Sequence, residues 1–457
     1  MKEMKEKKLL NTFDIFAHSA GNTIGAGVFV LLGIGITFTG KSICLVMVVG
    51  AFLMLVAYLF NLIMSSMFVL KGGDYSQKAM CFGPLGAGII AYINFVDGFA
   101  FSLLGLSIVS YASTVFPNLA NYGKIYAVIL ISLFFATTIV SDKFVARIKG
   151  LLVTVLFATL ILFVVFGLKN LRGDYLPDSN FFAGGMKGFW IALSLTAYAS
   201  MGTTVGAIDH QIVTKDPKRT VIKGMIWGTL AVAVIYGLMG VVAGGVLPIE
   251  QVMGDSITVV AKAMYNPVMY GAFIICGICF ALCGSLLGQI SMHKYPIEQV
   301  AEEGWLPSIF KKKTEGGYPW VIMTTFYLIS IIPILFGFDL DFIVSLLTIP
   351  TMLINAWCNF YCIKLVKMYP EHWEKSCIHM PLWLFYVLIT VACGTCLMVC
   401  YNLFIDESFQ QKVIQLVILG ILLSLSMFSV KTGRVDVTKI ESRRAAAHAE
   451  ARASLDE

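Results

Sequence analysis

Charge is what this sequence has least of. Asp, Glu, Lys and Arg make up 13% of its 457 residues and apolar residues 58%, whereas soluble domains carry about 25% charge. A water-soluble globular fold is thereby excluded, and a mean hydropathy of +0.83 points to an integral membrane protein. The alternation of apolar and polar residues that marks barrel strands is also missing, while apolar runs able to cross roughly 30 Å of hydrocarbon recur along the chain. No small-residue cleavage site follows the basic start MKEMKEKK, so the first run is expected to be retained rather than removed. Metal-ligand chemistry lacks support. Cys276, Cys279 and Cys283 share their spacing with Cys393, Cys396 and Cys400, but neither triplet has a neighbouring His or carboxylate, and thiols on one straight helix do not converge on a metal. They read as small buried apolar residues, and neither metal nor cofactor is expected. A nucleophile with its base is missing too, so a membrane enzyme built on Asp209 and His210 is the weaker reading and the expectation is no enzyme.

The apolar runs predict an all-α integral membrane protein with twelve transmembrane helices, at about 11–37, 42–70, 84–116, 124–140, 147–168, 186–212, 222–247, 258–293, 320–337, 341–367, 381–404 and 410–430. Residues 1–10 and 431–457 are left as polar tails, with no separate soluble domain. An N-terminus on the inside puts most of the 33 basic residues into the tails and the even-numbered connections, so both termini are expected to be cytoplasmic. The basic loops are then topology signals, and no nucleic-acid partner is implied.

Gly21-Asn22-Thr23-Ile24-Gly25-Ala26 in the first span is echoed by Gly202-Thr203-Thr204-Val205-Gly206-Ala207 in the sixth. An odd number of spans separates the copies, so they cross the bilayer in opposite directions, as in an inverted repeat, with halves at about 11–170 and 186–367. Paired glycine-interrupted helices point to a transporter's central site, against the alternative of small-residue packing. A helix broken at mid-depth exposes amide N–H groups on one side and carbonyls on the other. An amino acid's carboxylate and ammonium match those two ends, and glycine leaves the approach unobstructed.

Four longer motifs carry a resemblance. NTFDIFAHSAGNTIGAGVFVLLG from Asn11, KGGDYSQKAMCFGPLGAG from Lys71, KDPKRTV from Lys215 and AEEGWLPSIFKKK from Ala301 resemble, in order, signatures of the amino acid-polyamine-organocation transporter superfamily. That resemblance implies a leucine-transporter-like fold: a 5+5 inverted repeat with helices 1 and 6 broken, plus two C-terminal helices. It implies substrate carboxylate on the amides of Gly25, Ala26 and Gly27, ammonium on the carbonyls of Thr23, Tyr198 and Met201, and Tyr198 as a ring covering the substrate. Asn22, Ser200 and Gly202 belong to the same two segments. Three departures, Thr204 for an acidic residue, Ala26 for Ser and Tyr92-Ile93 for Gly-Trp, leave the substrate's identity open.

Ionisable residues inside a bilayer are costly and usually functional. Asp97 falls near mid-depth of the third span with Asn94 three residues before it on one face, suited to a cationic substrate side chain, a coupling proton or a structural bond. Asp209 and His210, near the end of the sixth span, suit gating or loop anchoring. Ser285 is the helix-8 hydroxyl nearest to a sodium site, and the fifth helix lacks the lysine of some proton-coupled relatives, so a proton and sodium both stay open. The expectation is a secondary transporter, symporter or exchanger, of neutral amino acids, in a bacterial cytoplasmic membrane. Its alternatives are a cationic amino acid or polyamine exchanger and a transporter-like nutrient sensor.

Overall fold

The computed structural model describes residues 10–24, 26–70, 72–139, 142–173, 175, 181–211, 214–315 and 317–435. Gly25 and residues 1–9 and 436–457 lie outside the described residues, as do the side chains of Asn22 and Ala26. The described chain is helical. Its helices are α1 Thr12–Thr23, α2 Ala26–Thr39, α3 Ile43–Ala57, α4 Leu59–Met67, α5 Gly73–Cys81, α6 Pro84–Val96 and α7 Phe99–Ser113. The middle of the chain forms α8 Gly123–Thr137, α9 Asp142–Lys169, α10 Gly185–Thr196, α11 Tyr198–Ile208, α12 Pro217–Gly245, α13 Thr258–Met264, α14 Pro267–Ala272 and α15 Phe280–Glu302. The chain continues with α16 Trp320–Phe336, α17 Leu340–Met368, α18 Pro370–Glu374, α19 Leu382–Asp406 and α20 Phe409–Lys431. Among the described residues nine stretches are long and apolar enough to cross a membrane, and Thr154–Lys169 and Trp320–Phe336 are shorter apolar helices.

Each expected span falls on helix, yet several are split. Asn11 starts α1 with a capping box, its side chain accepting from the amides of Phe13 and Asp14 while the Asp14 carboxylate accepts from the Asn11 backbone N–H. The helix stops at Ile24, whose ψ of 94° is extended, and α2 resumes two residues later. Tyr58 interrupts the second span with φ −99° and ψ 23°, and Ala197 separates α10 from α11. In the third span the amides of Gly98, Ala100 and Phe101 bond three residues back, to Phe95, Asp97 and Gly98, so the helix tightens at Asp97. Phe273–Cys279 before α15 takes the wider π turn, a distortion frequent at functional sites.

Small residues decide which helices touch. A Cβ on Gly224 would fall 2.3 Å from Ile15, and one on Gly228 would fall 2.1 Å from Ser19 Oγ. The sequence Gly-Met-Ile-Trp-Gly on α12 therefore seats α1 at backbone distance, the packing that small-xxx-small spacing provides in bilayers. The same end of α1 is tied again where the Lys215 amide donates to Leu10 O at 2.9 Å.

Candidate functional site

The interruptions converge. Thr23, Tyr58, Asp97 and Tyr198, each at or beside an interrupted or distorted turn, line one cavity of about 160 Å³. Apolar wall is supplied by Ala100, Leu104, Met201, Val205 and Leu347. Gly202 and Gly206 also line it, and both sit inside α11, so their missing side chains widen the cavity without unwinding the helix.

The two echoing segments consequently differ. The resemblance expects the sixth helix to end a half at Tyr198 and Met201, but both residues lie within α11, and the interruption falls at Ala197 with helical dihedrals of −52° and −43°. Ser19 Oγ donates to Thr203 O at 2.6 Å and Thr203 Oγ1 donates to Ser200 O at 3.2 Å, which holds this stretch coiled against α1. The carbonyl of Thr23 already has a protein partner: the hydroxyl of Tyr236, buried on α12, lies 3.1 Å from both Thr23 O and Ala199 O. A carbonyl oxygen has a second lone pair, so this bond orients the group and leaves room for another donor. Ser285 Oγ donates to Ile24 O at 3.4 Å, so the helix-8 hydroxyl also serves the break. Ser200 and Asn94 do not line the cavity; Asn94 donates to Ile90 O on its own helix at 2.8 Å.

Electrostatically the cavity holds two opposed pairs. Asp97 Oδ2 lies 3.7 Å from His293 Nε2 on α15. Deeper along α5, Lys78 Nζ meets Asp74 Oδ2 at 2.5 Å, and Asp74 Oδ1 accepts from Asn61, which also donates to Gln77. Asp209 does not line the cavity. It caps α11 and accepts the Asp74 amide at 3.2 Å, with Gly73 so close that a Cβ there would fall 1.9 Å from its Oδ1. His210 stacks on His18 of α1 at 3.9 Å, its Nδ1 3.1 Å from Gly206 O. The cysteine triplets fill helix contacts: Cys279 Sγ donates to Ile108 O, Cys393 to Ala356 O and Cys400 to Ile349 O.

Sequence reading missed Tyr58, Asp74, Lys78, Tyr236 and His293. For His293 a signal existed, an imidazole at the end of an apolar run. Asp74 and Lys78 sit in a short polar segment that reads as a connecting loop, and a tyrosine on an apolar helix carries no mark of its own.

Helices interrupted or distorted around a cavity of paired charges, in a chain of bilayer-length apolar segments, are the build of a membrane transporter. The chain belongs to the amino acid permease family, which matches residues 10–425; it is a permease of the amino acid-polyamine-organocation superfamily and not an enzyme. It is similar to the vacuolar cationic amino acid transporter 4 of Arabidopsis thaliana, 23% identical over 335 residues that cover 67% of this chain and 54% of the relative. It is similar to the methylthioribose transporter of Bacillus subtilis, 23% identical over 339 residues, covering 68% and 71%. The branched-chain amino acid permease of the same bacterium is 25% identical over 278 residues, covering 55% of this chain and 58% of that protein.

Proposed function

We propose that the protein is a secondary transporter that moves neutral amino acids by alternating access around the cavity at Thr23, Asp97 and Tyr198. One observation carries the choice of substrate: Asp97 faces His293 at 3.7 Å, so the Asp97 carboxylate has a partner in the protein itself that becomes cationic on binding a proton, and does not need one from a substrate side chain. The apolar wall of Ala100, Leu104, Met201, Val205 and Leu347 suits an uncharged side chain. The opened turn at Ile24, with α2 starting just beyond it, supplies N–H groups for the substrate carboxylate and carbonyls for its ammonium. The name of the branched-chain relative agrees with this reading.

We assign segments 11–170 and 186–367 as the inverted halves, and a bacterial cytoplasmic membrane with both termini inside as the setting. The cationic reading is favoured by the names of relatives, the vacuolar transporter's among them, and Asp97 would serve it with His293 neutral. Counterflow in proteoliposomes separates the two. Leucine, valine or alanine should compete for exchange, and lysine, arginine and putrescine should not. The reverse order would transfer the assignment to cationic substrates, and no exchange with any of them would remove the transport reading.

A further inference from the structure

His293 Nδ1 lies 2.8 Å from the carbonyl oxygen of Gln289, one turn earlier on α15. A carbonyl only accepts, so Nδ1 carries the hydrogen. In a neutral ring Nε2 is then itself an acceptor, and it faces the Asp97 carboxylate, another acceptor, at 3.7 Å. Two acceptors facing each other in a cavity repel until a proton is placed on one of them. With that proton the contact becomes an imidazolium–carboxylate ion pair that can shorten to hydrogen-bond length.

We infer that Asp97 and His293 form one binding site for a single proton, taken up with the substrate on each transport cycle. The inference rests on the transport reading above. The surroundings support it. The Phe101 and Phe326 rings flank the imidazole at 5.6 and 5.8 Å between centroids, so α7 and α16 meet the ring with apolar surface. From α5 comes the Asp74–Lys78 pair, closed at 2.5 Å; from α11 come Tyr198 and, at its end, Asp209, which accepts the Asp74 amide; Tyr58 faces the same cavity. The side chains of Lys143, Arg147 and Lys149 on α9 lie outside the described residues. Asp74 and Lys78 cancel, so the proton decides whether the two pairs sum to zero or to one negative charge. Carrying an unbalanced charge through an occluded state inside the bilayer is costly. Closure around a zwitterionic amino acid therefore requires the proton. The Asp97 side chain is 34% exposed and the His293 side chain 15%, so the proton enters from the cavity, where the substrate also binds.

The test is the ratio of protons to substrate molecules entering proteoliposomes, read with an internal pH dye and radiolabelled leucine. A ratio tolerates a lowered rate. It should fall from about one in the wild type to near zero in His293→Gln and in Asp97→Asn. A wild-type ratio near zero, a sodium requirement in its place, or a ratio unchanged in either variant overturns the proposal. If the wild type exchanges no amino acid, the transport reading fails separately, and the proton site is judged by 15N-histidine spectra of the full-length protein. Those should show the His293 imidazolium persisting to higher pH in the wild type than in Asp97→Asn; the same His293 titration in both proteins would refute the site.

Discussion

The same six-residue pattern, Gly-x-Thr-(Ile/Val)-Gly-Ala, stands in two places and folds in two ways. At 21–26 the helix ends at Ile24 in an extended residue; at 202–207 the chain stays inside α11. Glycine permits an opening but does not impose one. What differs is who holds the backbone. A threonine hydroxyl bonds back in both copies, Thr23 to Ser19 O and Thr203 to Ser200 O, and Tyr236 reaches Thr23 O and Ala199 O alike; the second copy alone is tied to α1 by Ser19 donating to Thr203 O, and the first alone has Ser285 donating to the extended residue's carbonyl, Ile24 O. An opening survives in a bilayer when other side chains take over its carbonyls.

Substitutions can break or sharpen that contrast. The largest effect is expected at Gly25→Leu, which on the proposed reading puts a side chain in the place of the substrate carboxylate: affinity should drop by ~100-fold or more, about 3 kcal/mol, in isothermal titration on folded protein. Unchanged affinity would mean that the opened turn does not bind substrate. Next comes the ring beside Ala197. Tyr198→Ala should weaken binding roughly tenfold and Tyr198→Phe no more than about twofold, because the ring rather than its hydroxyl covers the ligand; equal losses would assign the role to the hydroxyl. Tyr236→Phe removes the bond to the first opening and should lower stability by about 0.6–1.7 kcal/mol, the range for hydrogen bonds between membrane helices, visible as a lower melting temperature. The smallest change is expected at Gly206→Ala, the counterpart of Gly25. A helical position tolerates alanine, so affinity should stay within about threefold, and a loss as deep as that of Gly25→Leu would show that the two copies act alike after all.

The helices were legible because an uninterrupted apolar run of bilayer length is rarely anything but a membrane-spanning helix, and the interruption near Gly25 was legible because glycine at mid-membrane demands a reason. Asp97 stood out for its charge. Its partner did not, since Asp97 and His293 are 196 positions apart and nothing in either span names the other. Asn94 was misplaced for a local reason. Helical spacing puts it beside Asp97, but the turn tightens at Asp97 and Gly98 and the Asn94 amide bonds back to Ile90. For α11, the pattern carried the glycines but not the Ser19 hydroxyl that bonds the Thr203 carbonyl to α1.

The seating of α1 on Gly224 and Gly228 reaches beyond packing. Together with the Ser19–Thr203 bond, the His18–His210 stack and the strap from Leu10 to Lys215, it fastens α1 to α11 and to the start of α12 as one mechanical part. On the proposed transport reading, a rotation at Ile24 moves this unit relative to α2. Thr23 and Met201, which line the cavity from α1 and α11, then shift together as parts of one unit rather than one after the other.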